Sequence, residues 1–139
     1  MITFKKKGLP RLRESRQRKV VYAHLLGTRA HPTAAAVYAG VRTQMPGLSL
    51  GTVYRNLAVL KAQGKIRELA AQGAQARFDA DIKPHAHFYC RKCNGVYDLP
   101  MTSAAARHLG RLAAAGHEVE VLEVYLQGVC EHCRAKRRR

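Results

Sequence analysis

The sequence predicts an α+β protein in two parts, and three observations predict it. Between Ser15 and Gly64, apolar residues recur at helical spacing in three successive segments. Short strand-like pieces follow, and further on strand and helix patterns alternate. Two Cys-x-x-Cys pairs, Cys90/Cys93 and Cys130/Cys133, bracket that second half. At 139 residues, neither half buries enough apolar surface to stand alone, so each needs a staple or a partner.

Residues 1–14 are basic and irregular, broken by Gly8 and Pro10, and predict an arm or a short helix. Ser15 can cap a first helix whose apolar stripe is Val20, Val21, His24 and Leu25 and which Gly27 ends. Thr33, after His31-Pro32, caps a second helix carrying Ala35, Val37, Tyr38 and Val41, which stops before Pro46-Gly47. Ser49 caps a third. Its Leu50, Val53, Leu57 and Leu60 face inward at spacings of three and four, leaving Thr52, Arg55, Asn56 and Val59 away from the core until Gly64. Strand-like pieces at 65–70 and 75–79 flank a turn at Gln72-Gly73. Three helices and a hairpin spell a winged helix-turn-helix over residues 1–79. Residues 80–84 form a hinge, because Pro84 interrupts regular structure there. The second unit, 85–133, reads as strands near 87–90 and 96–99, an Ala-rich helix near 102–115, a strand from 118 to 126, and the last cysteine pair. Residues 134–139 are a basic tail.

The formal net charge is +16, and its distribution is uneven: residues 1–68 hold fourteen Lys/Arg against Glu14 and Glu68, and the tail adds five more cations. Such an excess on a winged helix points to double-stranded DNA. The third helix then presents Tyr54 and Arg55, flanked by Thr52 and Asn56, to the major groove, where Arg forks onto a guanine edge and Tyr meets a thymine methyl or a phosphate. Arg13, Arg16, Arg18 and Lys19 hold phosphates. The alternative is a solvated helix face with Tyr54 half in the core. The N-terminus has no apolar signal region, and no apolar run is long enough to span a bilayer, which predicts a cytoplasmic protein with no membrane partner.

In a reducing compartment, two Cys-x-x-Cys knuckles read as a tetrahedral structural Zn²⁺ site of Cys90, Cys93, Cys130 and Cys133. Two redox dithiols are the alternative, but a thioredoxin-like motif needs a βαβ context that is missing. His85 and His87, two apart on a strand, face one side, as two ligands of one ion must.

The set His31-Pro32-Thr33-Ala34, residues 49–57 (SLGTVYRNL), Arg77-Phe78-Asp79, His85-x-His87-x-x-Cys90-x-x-Cys93 and Cys130-x-x-Cys133 resembles the ferric uptake regulator family, in that family's order. The resemblance runs from about Arg13 to Cys133. It implies a homodimeric, metal-responsive repressor with a C-terminal dimerisation domain, acting on a palindromic operator and not as an enzyme. It also implies Asp79 and Asp98 as carboxylate ligands and His31 as the imidazole contributed by the DNA-binding domain, joining His85 and His87 in a regulatory site. Imidazole and carboxylate without thiolate favour Fe²⁺, Mn²⁺ or Zn²⁺, and the missing sulfur ligand argues against a dedicated zinc sensor, which leaves Fe²⁺ or Mn²⁺ as the expected regulatory ion. Pro84, Ala86 and Leu122 stand where iron-sensing relatives would place a third site, so none is expected. Two Asp ligands resemble the peroxide-sensing branch; an iron- or manganese-availability sensor is the alternative. From a different class come a constitutive zinc-ribbon nucleic-acid-binding protein and a metallohydrolase, the latter without an evident general base.

Overall fold

Helices begin where a side-chain oxygen can take up an amide left over from the first turn. Ser15 Oγ accepts from the Arg18 amide at 3.1 Å, Thr33 Oγ1 from Ala36 at 3.2 Å and Ser49 Oγ from Thr52 at 3.1 Å. These caps open α1 (Arg16–Leu26), α2 (Ala34–Val41) and α3 (Leu50–Ala62). The computed structural model describes residues 15–69, 75–120 and 122–136. The N-terminal stretch with Arg13, the Gln72-Gly73 turn and the last three arginines lie outside the described residues.

The chain divides into two units between Ile82 and Lys83. In the first, Val21 and Leu25 of α1, Ala34, Val37 and Val41 of α2, and Val53, Leu57 and Leu60 of α3 close one apolar core with Leu48, Ile66 and Phe78. The register of α3 corrects the sequence expectation. Asn56 is 4% exposed, whereas Leu50 is 39% exposed. The inward stripe is 53, 56, 57 and 60, the i, i+3, i+4, i+7 pattern, and Asn56 falls inside it. Asn56 is therefore not a groove-facing residue.

Strands β1 (Arg67–Leu69) and β2 (Arg77–Asp79) form an antiparallel pair with Arg67 opposite Asp79, shorter than the pieces the pattern predicts. Lys61 pairs with Glu68 at 2.6 Å, and the Arg67 guanidinium donates to the Asp81 carbonyl at 2.9 Å. A bridge between Thr33 and Arg77, with Phe78 N–H donating to the Pro32 carbonyl at 3.0 Å, ties β2 to the start of α2.

The second unit holds β3 (His85–Cys90), β4 (Val96–Pro100), α4 (Ser103–Ala114), β5 (Tyr125–Gly128) and α5 (Glu131–Ala135). Its sheet has the order β4-β3-β5, with β4 antiparallel and β5 parallel to β3. The strand expected at 118–126 is displaced toward the C-terminus. Residues 125–128 pair with β3, with the His87 amide also donating to the Val124 carbonyl at 3.0 Å, and residues 118–120 carry no strand. α5 was not visible in the sequence pattern, because five residues are too few for a periodicity. Thr102 caps α4, which ends at Ala115 and Gly116, both at positive φ. Among the described residues, no helix is long and apolar enough to cross a membrane.

The corrected register of α3 separates two substitutions. Leu57→Ala, in the core, should cost about 2–5 kcal/mol of unfolding free energy, while Leu50→Ala should cost under about 1 kcal/mol. Equal losses in denaturant titrations would contradict the register.

Candidate metal centres and nucleic-acid interface

Cys90 ends β3, and the chain turns back at once. Asn94, at φ 55°, donates its amide to the Cys90 carbonyl at 2.9 Å, and the Cys90 amide donates to the Gly95 carbonyl at 3.0 Å. This tight knuckle brings Cys93 around beside Cys90. The second pair arrives through β5: Cys90 lies opposite Gly128 in the parallel register, and Arg91 N–H donates to the Gly128 carbonyl at 2.9 Å. Cys130 caps α5, and Cys133 sits on that helix. All four Sγ atoms lie within 4.8 Å of one another, with Cys93 and Cys130 at 3.8 Å.

Those distances discriminate between chemistries. Four sulfurs about 2.3 Å from a central ion stand about 3.8 Å apart at the edges of a tetrahedron, whereas a disulfide is about 2.05 Å long. The donor set fits Zn²⁺ closed by four thiolates. Ionisation within the cluster is uneven. The Cys130 amide, donating to Cys90 Sγ at 3.3 Å, pulls the Cys90 thiol down to about 6 against the effect of burial. The Cys133 amide, and then the Tyr97 phenol, lower Cys130. Cys133 is pushed up to about 12, chiefly because it shares its proton with the Cys130 sulfur.

Tyr97 is a residue the sequence reading missed. Its hydroxyl lies 3.9 Å from Cys93 Sγ, and its acidity is suppressed by its hydrogen bonds to Cys130 and Cys93. The only sequence signal is its place four residues after Cys93, across Gly95.

The imidazole and carboxylate residues are prepared separately in each unit. In the first, His31 is 2% exposed and Asp79 is buried with it, Nε2 and Oδ2 being 3.7 Å apart. The backbone of His31 is left-handed, at φ 48°, and the Arg77 guanidinium holds its carbonyl at 3.1 Å. Arg77 precedes Asp79 by two on β2, so the clamp on one residue places the carboxylate of the other. In the second unit, His87 stands opposite Asp98 across β3 and β4. Asp98 Oδ1 is 3.2 Å from His85 Nε2 and 3.5 Å from His87 Nε2, and the two rings are 4.5 Å apart. His85 Nδ1–H donates to the Lys83 carbonyl at 2.8 Å, which leaves Nε2 with the lone pair an ion needs.

On the nucleic-acid side, Tyr54 is 55% exposed and Arg55 is exposed beside it, while the Thr52 hydroxyl is engaged with Ser49 Oγ at 2.9 Å. Arg16 and Lys19 are exposed on α1, and Arg18 is partly buried.

A sequence profile described as the Ferric uptake regulator family matches residues 10–127. The peroxide operon regulator of Bacillus subtilis is 33% identical over 125 residues, covering 86% of this chain and 83% of that protein. The crystal structure of the Campylobacter jejuni peroxide stress regulator superposes with a TM-score of 0.70 at 29% identity, over 84% of this chain and 88% of the other. The Helicobacter pylori ferric uptake regulator gives a TM-score of 0.74 over 88% and 83% at 20% identity, a likeness of fold.

The high Cys133 value carries a test. The Cys90 and Cys130 thiols are held below the ordinary thiol range and Cys133 above it by the proton it shares with Cys130, so zinc taken up by four thiolates must expel that shared proton. Affinity should rise with pH, and calorimetry in buffers of different ionisation enthalpy should register about one proton or more released per ion. Binding without proton release would refute the four-thiolate assignment.

Proposed function

Because the chain belongs to the ferric uptake regulator family, we propose that it is a metal-dependent transcriptional repressor that binds a palindromic operator as a homodimer and responds to peroxide. The carrying observation is the pair of prepared donor sets, one in each unit: His31 with Asp79, and His85 with His87 and Asp98. One Fe²⁺ or Mn²⁺ ion takes all five as ligands, and Zn²⁺ occupies the four cysteines. The donor chemistry supports this division, since imidazole and carboxylate suit Fe²⁺ and Mn²⁺ and thiolate suits Zn²⁺. An ion whose ligands come from both sides of the 80–84 hinge fixes the angle between the two units and hence the spacing of two recognition helices in a dimer. Shifting such a switch almost completely takes roughly 5.5 kcal/mol of differential binding. No third site is proposed, since Pro84, Ala86 and Leu122 offer no ligand.

The second unit supports the dimer. Among its described residues the buried apolar ones are Ala86, Cys90, Val96 and Cys130, while Leu109 and Leu112 on α4 and Tyr125 and Leu126 on β5 stand exposed. A second copy covers those residues, and the partner for the first unit is DNA. Arg55 reads a base edge, whereas Arg16, Arg18 and Lys19 hold phosphates. Arg55→Ala should weaken operator binding by about 1–3 kcal/mol and relax preference at one position, while Arg16→Ala should weaken all sequences alike and reduce the salt slope. The two variants behaving identically on a panel of operators would refute that division.

Peroxide sensing is supported by the relatives named as peroxide regulators at 29–33% identity. Bound Fe²⁺ supplies one-electron reduction of hydrogen peroxide. By resemblance to the peroxide-sensing branch, His31 or His85 would gain one oxygen, which would remove a ligand and release DNA. Iron-loaded protein should gain about 16 Da, one oxygen, on a peptide with His31 or His85 as DNA binding falls. Manganese-loaded protein should not. Intact histidines with release tracking only cysteine oxidation would leave a metal-availability sensor as the better reading, and DNA affinity indifferent to either metal would leave a constitutive zinc-ribbon binder.

A further inference from the structure

Tyr97 and Asp98 are consecutive on β4 and so point to opposite faces of the sheet. Asp98 meets His85 and His87. The Tyr97 hydroxyl lies instead at the sulfur cluster, 3.9 Å from Cys93 Sγ, and Cys93 is the exposed thiol of the four. The same hydroxyl also bonds Cys130 Sγ, which is 3.8 Å from Cys93 Sγ, so the phenol stands at that edge of the cluster. Gly95 leaves room for the approach: a Cβ there would lie 3.0 Å from Tyr97 Oη and 3.2 Å from Cys93 Sγ, tight enough to push the phenol or the sulfur aside by a few tenths of an ångström. The Phe88 ring, 6.4 Å away by centroids, flanks the tyrosine.

We propose that Tyr97 is a positioning residue that donates its hydroxyl hydrogen to the Cys93–Cys130 edge of the zinc-thiolate cluster and slows oxidation of those sulfurs. Peroxide then reacts at the histidine and aspartate donors before it reaches the structural site. The inference rests on the zinc reading above. The physical basis is that a thiolate attacks through a sulfur lone pair, and a hydrogen bond into that lone pair lowers its nucleophilicity.

The step being slowed is balanced as follows. The Cys93 sulfur attacks one oxygen of hydrogen peroxide; the S–O bond forms, the O–O bond breaks and hydroxide leaves. The Cys130 thiolate then attacks the oxidised sulfur, forming S–S and expelling a second hydroxide. Two thiolates lose two electrons, peroxide gains them, and the metal loses two ligands.

Tyr97→Phe removes only the hydroxyl and keeps the ring. With Mn²⁺ added so that no iron chemistry intervenes, the full-length zinc-loaded variant should release zinc to a chromogenic chelator about two- to tenfold faster than wild type on addition of hydrogen peroxide. Cys93 should appear first among the oxidised residues by mass spectrometry. In Co²⁺-substituted protein, the sulfur-to-metal charge-transfer band should move to longer wavelength, a signature that a merely structural role for the ring would not produce. Equal zinc content with unchanged rate and band position would overturn the role of Tyr97 alone. Wild-type protein that holds no zinc would overturn the zinc reading and this inference with it.

Discussion

The second unit depends on one closure: the return of β5 to the free edge of β3 and the sulfur cluster that fastens it. Parallel strands cannot be joined by a tight turn, so the chain must make a long excursion between them. Here the excursion includes α4, none of whose residues is buried, so the crossover adds little core. Cys90 and Cys130 are themselves two of the four buried apolar residues among the described residues of the unit. Cys93 and Cys130 are 37 residues apart in the chain and 3.8 Å apart in space. A cross-link through an ion suits that spacing, and it replaces the apolar burial that so short a segment cannot supply.

The same two strands serve two chemistries because a strand alternates. β3 presents His85 and His87 on one face and delivers Cys90 at its end, while β4 presents Tyr97 and Asp98 in succession. A displacement of β4 against β3 by one residue would exchange the faces of both sites at once. Main-chain oxygens complete the preparation. The Lys83 carbonyl orients His85, and the His31 carbonyl is clamped by Arg77. Both imidazole-bearing segments are thus held by main-chain hydrogen bonds near their own elements.

Features fixed by local chemistry were legible in the sequence. Ser15, Thr33 and Ser49 cap the three helices as read, because capping needs only a side-chain oxygen and an apolar run behind it. The cysteine pairs were legible because thiolate spacing is itself the site. What was lost depended on partners distant in the chain. Asn56 looked like a polar face residue, yet the buried stripe of α3 runs through it with Val53 and Leu57. The alternation after Glu118 looked like a strand, yet the strand register with β3 begins only at Tyr125. Tyr97 carried no motif, and its place at the sulfurs follows from the knuckle at Asn94 and Gly95.

The left-handed backbone at His31 gives this position a double filter in any mutational library. At φ 48°, β-branched and bulky residues are strained, and asparagine, aspartate or glycine fit with little cost. Replacements at position 31 therefore fall into two populations that ordinary scanning would merge: those that distort the loop between α1 and α2, and those that keep its path but lack an imidazole. Alanine belongs partly to the first, so it reports on backbone and imidazole together, whereas asparagine isolates the imidazole. The genetic meaning of a loss at this position is set by which population the replacement joins.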